Sequence, residues 1–370
     1  MKIICNKSEL LKGVSIVSKA VPSKTTMSIM QCILIDASQN EINLIANDME
    51  LGIETVISGE IAEKGKIALE AKMFREIISK MPDNDVTIVT DDSLKASITC
   101  EKVKFNIIGK SADEFSYLPQ IEHSDSIVIS EYTLKRIIRQ TIFSISDNEN
   151  SPMMTGELFE IDEDRLRVSS LDGHRISMRN IKLKNVYSSK KVIVPGKTLN
   201  EISSIIGDDT EKNVNIFFTP NHILFEFDNT LVLSRLIEGD YFNVDQMITR
   251  DYETKVTVNK RELYDSIDRS TLFIREGDKR PIIINITDDN LELKINNSTH
   301  GSMDENIGIT KEGKDLIIGF NPKFLMDVLR VIDGDEVEMF MVNPKSPCFI
   351  RDEEDSYIYL ILPINFNTVS

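Results

Sequence analysis

Four cysteines in 370 residues, Cys5, Cys32, Cys100 and Cys348, stand too far apart for any C-x-x-C pair, so neither a zinc site nor a disulfide framework is suggested. They read as small core residues. No apolar run approaches the roughly 20 residues of a membrane span, and the opening MKIICNKSELLKGV holds none long enough for a signal peptide. A cytoplasmic chain with no membrane contact is expected. Histidine is also scarce: of four, only His174 falls in a distinctive segment, and neither an HExxH pair nor a Ser/His/Asp arrangement can be argued from spacing. GITKEGK (Gly308 to Lys314) matches the spacing of a P-loop, but Asp315 stands where Ser or Thr should hold Mg²⁺, and the segment reads as a turn between strands. Catalysis is not expected, and no metal or cofactor is called for. Basic charge is short as well. The net charge of -17 argues against a nucleic-acid partner unless the positive groups are gathered on one surface.

What is present is a soluble, globular composition, 41% hydrophobic and 28% charged, in a chain long enough for two or three domains. The chain repeats itself. KIICNKSELLKGVSIVSKA from Lys2, SIVISEYTLKRIIRQTIFS from Ser126 and KVTVNKRELYDSIDRSTLF from Lys255 each read as a short strand followed by a helix, with Leu10, Leu134 and Leu263 at matching places. Alternating runs divided by Asp, Asn or Ser follow at Cys32, Glu157 and Pro281 and read as hairpins. A strand and a second helix come next, with Lys72, Lys197 and Lys323 ahead of Phe74, Leu199 and Leu325, and three further strands close the unit. A period of about 125 residues is far beyond the 20 to 50 of solenoids, so each copy is a domain. Polar joints fall near 116–125 and 242–254, which sets domains at 1–121, 122–249 and 250–370.

Charge is segregated along this repeat. The helical segments 7–19, 72–80, 131–143, 197–206, 260–271 and 322–330 hold 15 Lys/Arg and 8 Asp/Glu, a net of +7 that leaves -24 for everything else. The fourth and fifth segments are neutral. Lys12, Lys19, Arg75, Lys80, Lys135, Arg136 and Arg139 are the main contributors. Basic helices with acidic sheets and loops suit a surface that faces phosphates on one side and repels them on the other. Ordinary solvated helix faces are the alternative for any single residue.

Three stretches carry a resemblance. SLDGHRIS (Ser170 to Ser177), ADEFSYLP (Ala112 to Pro119) and the terminal YLILPINF (Tyr359 to Phe366) resemble segments of the bacterial sliding clamps, and the similarity of design extends over essentially the whole chain. The resemblance implies an α+β DNA clamp fold of three similar domains. Each has two helices and flanking antiparallel sheets, and two chains close into a six-domain ring. Function would then be topological: a non-catalytic homodimer threaded by duplex DNA, tethering the replicative polymerase, with the clamp loader and repair proteins engaged through short linear peptides. A scaffold of the same architecture that never meets nucleic acid is the rival reading.

Residue by residue, the resemblance implies three surfaces. Lys12, Lys24, Arg75, Lys80, Arg136, Arg139 and Asn148 would face DNA. Phe105 and Ile107 on an edge strand would meet Leu272 and Phe273 of a second chain. A peptide groove would be built from Met154, Leu171, Gly173, His174, Arg175, Ile176, Phe242, Met247, Leu360, Ile361, Leu362, Pro363 and Ile364. His174 reads either as a wall of this groove or as a turn residue after Asp172. The chain departs from the family pattern at Tyr241–Val244, at Asn365 and Phe366, and in the four residues Asn367 to Ser370, which could cover the site.

Overall fold

The computed structural model describes residues 1–119, 121, 126–274, 280–297, 299–352 and 354–366, and among these it contains six α-helices. They are α1 (Lys7–Val17), α2 (Ala71–Lys80), α3 (Glu131–Thr141), α4 (Gly196–Ile205), α5 (Lys260–Ser270) and α6 (Pro322–Leu329). Each starts where a strand stops, and in five of the six a side chain marks the start. Asn6, Asn259 and Asn321 accept from the backbone N–H of Ser8, Glu262 and Lys323, all at 3.0 Å, and the Ser130 hydroxyl accepts from Thr133 at 3.2 Å. Glu70 caps α2 with both carboxylate oxygens. Such caps stabilise by about 1 kcal/mol each. The aligned leucines Leu10, Leu134 and Leu263 are fully buried, as are Phe74, Leu199 and Leu325 in the second helices. α1, α3 and α5 each run into a single 3-10 turn, at Ser18–Ala20, Ile142–Ser144 and Thr271–Phe273.

The chain forms two compact units, Met1–Lys135 with Lys197–Leu236, and Arg136–Gly196 with Ile237–Ser370. In the first, a sheet of eight antiparallel strands runs in the order 127–130, 213–218, 222–227, 230–235, 51–57, 42–47, 32–36, 66–70. The centre of that sheet joins two repeats: Thr230–Arg235 pairs with Leu51–Ile57, and the buried hydroxyls of Thr55 and Thr230 lie 2.8 Å apart. A five-stranded sheet holds 60–63, 2–6, 85–90, 95–100 and 103–108, the last at its edge. α1 lies close on the strands because Gly13 has no side chain; a Cβ there would come within 2.5 Å of Ile57 and 2.9 Å of Leu44.

The second unit is built on ten strands in the order 156–171, 175–195, 357–361, 348–351, 336–341, 254–259, 301–313, 290–297, 282–287, 316–320. Its largest core gathers Leu263 and Ile267 of α5, Leu325 and Leu329 of α6, and inward residues such as Ile284, Leu293, Met339 and Tyr359. The stretch Gly156–Leu171 doubles back on itself: Glu160 and Arg167 sit 3.8 Å apart, where a straight strand would separate them by roughly 23 Å. Glu163, at φ 52, makes the bend, so the hairpin expected from Glu157 is present.

One local reading is corrected. Gly308 to Lys314 is expected as a turn, but Gly308–Gly313 belong to the strand Gly301–Gly313 and Lys314 follows its end. That strand pairs with Asn290–Asn297 as far as Gly308 and with Thr254–Val258 from Ile309 onward, so the segment lies where the strand changes partner.

Candidate functional site

In the second unit the strands ending at Leu171 and starting at Arg175 are joined by a tight turn. Asp172 Oδ1 accepts the backbone N–H groups of His174 and Arg175 at 2.9 and 3.1 Å, and Gly173 supplies the left-handed residue at φ 87. Strand Tyr357–Ile361 pairs beside it, Ile176 opposite Leu360, and Leu362 extends the pairing by donating its N–H to the His174 carbonyl at 2.9 Å. Alternation then puts Leu360 and Leu362 on one face and Ile361 on the other.

That face opens into a cavity of about 400 Å³ lined by Met154, Leu171, Gly173, His174, Arg175, Ile176, Phe242, Met247, Pro347, Leu360 and Leu362. Its size and apolar walls suit a few hydrophobic anchors. Three rim residues remain exposed although apolar: Phe242 at 42%, Met247 at 50% and Leu362 at 39%. The expected residues Ile361, Pro363 and Ile364 do not line it. Ile361 points into the large core, and the chain beyond Pro363 leaves the cavity to run along strand Leu316–Phe320, where Ile364 donates to the Gly319 carbonyl at 2.8 Å. Phe366 lies against Gly319, within 2.7 Å of where a Cβ would be. The suggestion that Asn367–Ser370 cover the site falls outside the described residues. Pro347 was missed: it sits in a loop between strands, and nothing in its own segment points to the groove.

Beneath the turn, Arg175 is nearly sealed, its side chain 7% exposed. Nε bonds Asp172 at 2.9 Å, Nη1 bonds Asp327 of α6 at 2.7 Å, and Nη2 donates to the Phe143 carbonyl. Its guanidinium lies 4.2 Å from the Phe324 ring centre and 5.4 Å from that of Phe143. His174 stacks on Phe324 at 6.2 Å. Arg175 therefore holds the groove wall on helix α6, and removing either acid would leave a buried charge underpaired, at a cost on the order of 3–5 kcal/mol.

The matching place in the first unit differs in chemistry. The turn is the same, with Met49 at φ 75 where Gly173 stands and Asp48 accepting from Glu50 and Leu51. Arg235 donates its N–H to the Glu50 carbonyl as Leu362 does to His174. The side chains are not apolar, however. Asn47 replaces Leu171 and bonds the Ser116 carbonyl, Glu50 lies 3.9 Å from Arg235, and Asp48 pairs with Lys197. Substitution at equivalent positions thus makes one seam polar and ion-paired and leaves the other apolar.

Of the expected DNA-facing residues, Lys12, Lys24, Arg75, Lys80 and Arg139 are exposed, and none pairs with an acid among the described residues. Arg136 is different. It bonds Asp333 at 2.5 Å beside a separate cavity of about 450 Å³ that Gln140 and Arg179 also line, so its charge is paired. Asn148 is exposed in a turn, where its side chain accepts from Asn150 N–H at 3.1 Å. On the edge strand Val103–Ile108, Phe105 and Ile107 are half-buried, whereas Ile108, not among the expected residues, is 83% exposed. Leu272 is 82% exposed, and Phe273 is half-buried with Gly301 beside its ring. No helix among the described residues is long and apolar enough to cross a membrane.

Comparison with known proteins matches three models in succession: the DNA polymerase III beta subunit N-terminal domain over residues 1–119, central domain over 128–243 and C-terminal domain over 245–365. The beta sliding clamp of Staphylococcus aureus is 36% identical over 356 residues, 94% of each chain. Among solved structures, the DNA polymerase sliding clamp from Bacillus subtilis is 34% identical with a TM-score of 0.95, covering 99% of this chain and all of that one. A chain from Eubacterium rectale assigned to the DNA polymerase III beta subunits is 66% identical, with the same TM-score and coverage.

Proposed function

Since the chain belongs to the DNA polymerase III beta subunit family, the bacterial sliding clamps, and is a non-catalytic processivity factor of DNA replication, we propose that it works as a homodimeric ring whose partners dock in the groove at Leu360 and Leu362. The family binds DNA and polymerase; what is proposed is how this chain does so. Three domains meeting near residues 121 and 249 would be doubled by a second chain into six, with Phe105, Ile107 and the exposed Ile108 set against Leu272 and Phe273. Two such apolar surfaces left open would be unusual for a monomer. Lys12, Lys24, Arg75, Lys80 and Arg139 would face duplex DNA through phosphate contacts that carry no sequence information, with Arg136 and Asn148 contributing less.

The observation that carries the reading is the apolar groove with three exposed hydrophobic residues at its rim. A groove of that kind takes short peptides by their Leu and Phe anchors while backbone groups fix their direction. The replicative polymerase, the clamp loader and repair proteins would therefore compete for one site per chain, in the cytoplasm. Phe242, where the sliding clamps carry a proline, enlarges the rim of the groove. A labelled peptide with Leu and Phe anchors should bind the wild type and fail to bind Leu362→Asp. Equal binding by both would place the partner site elsewhere.

A further inference from the structure

α6 presents a row of three residues to three different surroundings. Phe324 lies under the groove turn, Asp327 is 13% exposed and lies behind it, and Arg330 is 55% exposed at the helix end. The Asp327 carboxylate is divided between two cations: Oδ2 holds Arg175 at 2.7 Å, and Oδ1 lies 3.6 Å from Arg330. Arg330 in turn donates its Nε to the Tyr264 hydroxyl of α5 at 2.9 Å, with its guanidinium 5.5 Å from that ring's centre. One carboxylate thus joins the wall of the groove to an exposed cation on the helices. We infer that Asp327 is a positioning residue that couples polyanion binding at Arg330 to peptide binding in the groove, an inference that rests on the groove being the partner site.

The direction of the coupling follows from electrostatics. A phosphate of duplex DNA at Arg330 competes with Asp327 for the guanidinium and repels the carboxylate toward Arg175. Asp327 is then left to Arg175 alone, which tightens the wall formed by Gly173, His174 and Arg175 before a peptide arrives. A better-organised groove binds more strongly because less ordering remains to be done. The loose Asp327–Arg330 pair sets the scale: an i, i+3 ion pair on a helix supports a change of about twofold in affinity. Linkage requires the same factor in reverse, so a saturating peptide raises the affinity for duplex equally.

The test uses the full chain, a fluorescein-labelled peptide with Leu and Phe anchors, and a short linear duplex at low salt. Peptide affinity is measured by anisotropy without duplex and at matched duplex occupancy. The wild type should gain about twofold, with the same gain in the reverse titration, and Arg330→Gln should lose the gain. Asp327→Asn should bind peptide more weakly and show no response to duplex, whereas Asp327→Glu should recover part of both. Wild-type affinity unchanged by duplex, or an equal gain in Arg330→Gln, overturns the coupling while leaving the groove intact as the partner site. A peptide that fails to bind the wild type without duplex overturns the groove reading itself, and the coupling with it.

Discussion

Glu157 should make the clamp less stable as pH rises toward 8. Its side chain has no solvent exposure, and neither carboxylate oxygen has a hydrogen-bond partner among the described residues. A hydrogen bond from Thr141 would lower its pKa, but that hydroxyl donates to the Ile137 carbonyl at 2.8 Å. Burial therefore dominates and raises the Glu157 pKa from 4.5 to about 8. The same burial, with Glu157 nearby, pushes the Tyr241 hydroxyl upward as well. In the unfolded chain Glu157 gives up its proton near pH 4.5, while in the folded chain it keeps it to about 8. Unfolding across that window releases a proton, so stability falls with rising pH and levels off above the folded pKa. At about 1.4 kcal/mol per pH unit, the full loss is on the order of 3–6 kcal/mol. Glu157→Gln is neutral at every pH and should lack this slope. The chain has no tryptophan, so urea unfolding is best followed by circular dichroism. The difference in midpoint between variant and wild type should be small at pH 5 and grow in favour of Gln toward pH 8. A difference that stays flat from pH 5 to 8 would refute the assignment of a buried neutral acid.

Other outcomes follow from the surfaces. Leu272→Ala with Phe273→Ala should shift the mass seen by light scattering from about twice 42.0 kDa toward the monomer, and a wild-type monomer at micromolar concentration would remove the ring. Ile108→Asp, on the most exposed apolar residue of the edge strand, should do the same by itself. Charge reversal at Arg139 or Lys24 should weaken DNA retention more than reversal at Arg136, which already pairs with Asp333. Equal losses at all three would mean that the ion pair does not hold in solution.

The helices and much of the groove were legible because they depend on local pattern. Leu10, Leu134 and Leu263 recur at matching places and are all fully buried, and the turn at Asp172 and Gly173 is written in the two residues that form it. What was hidden depended on where strands go after their local pattern ends. The resemblance groups Ile361 with Leu360 and Leu362, although a strand sends neighbours to opposite faces. Pro363 and Ile364 leave because Gly319 leaves room for the chain to dock there. Pro347 reaches the groove from a loop more than 100 residues away from His174, and Gly308 to Lys314 reads as a turn because Gly308 marks a change of strand partner and Gly313 ends the strand. The sequence places Arg136 on a basic helix with Arg139 and does not display its ion pair with a residue as distant as Asp333.

The proposed ring would hold DNA by topology and not by grip. The direct measurement is retention of the loaded protein on a nicked circular duplex, before and after one cut makes it linear, in salt high enough to screen phosphate contacts. A closed clamp should stay on the circle through repeated washing and leave once the DNA has ends. Equal loss from both forms, or equal retention on both, would contradict the account.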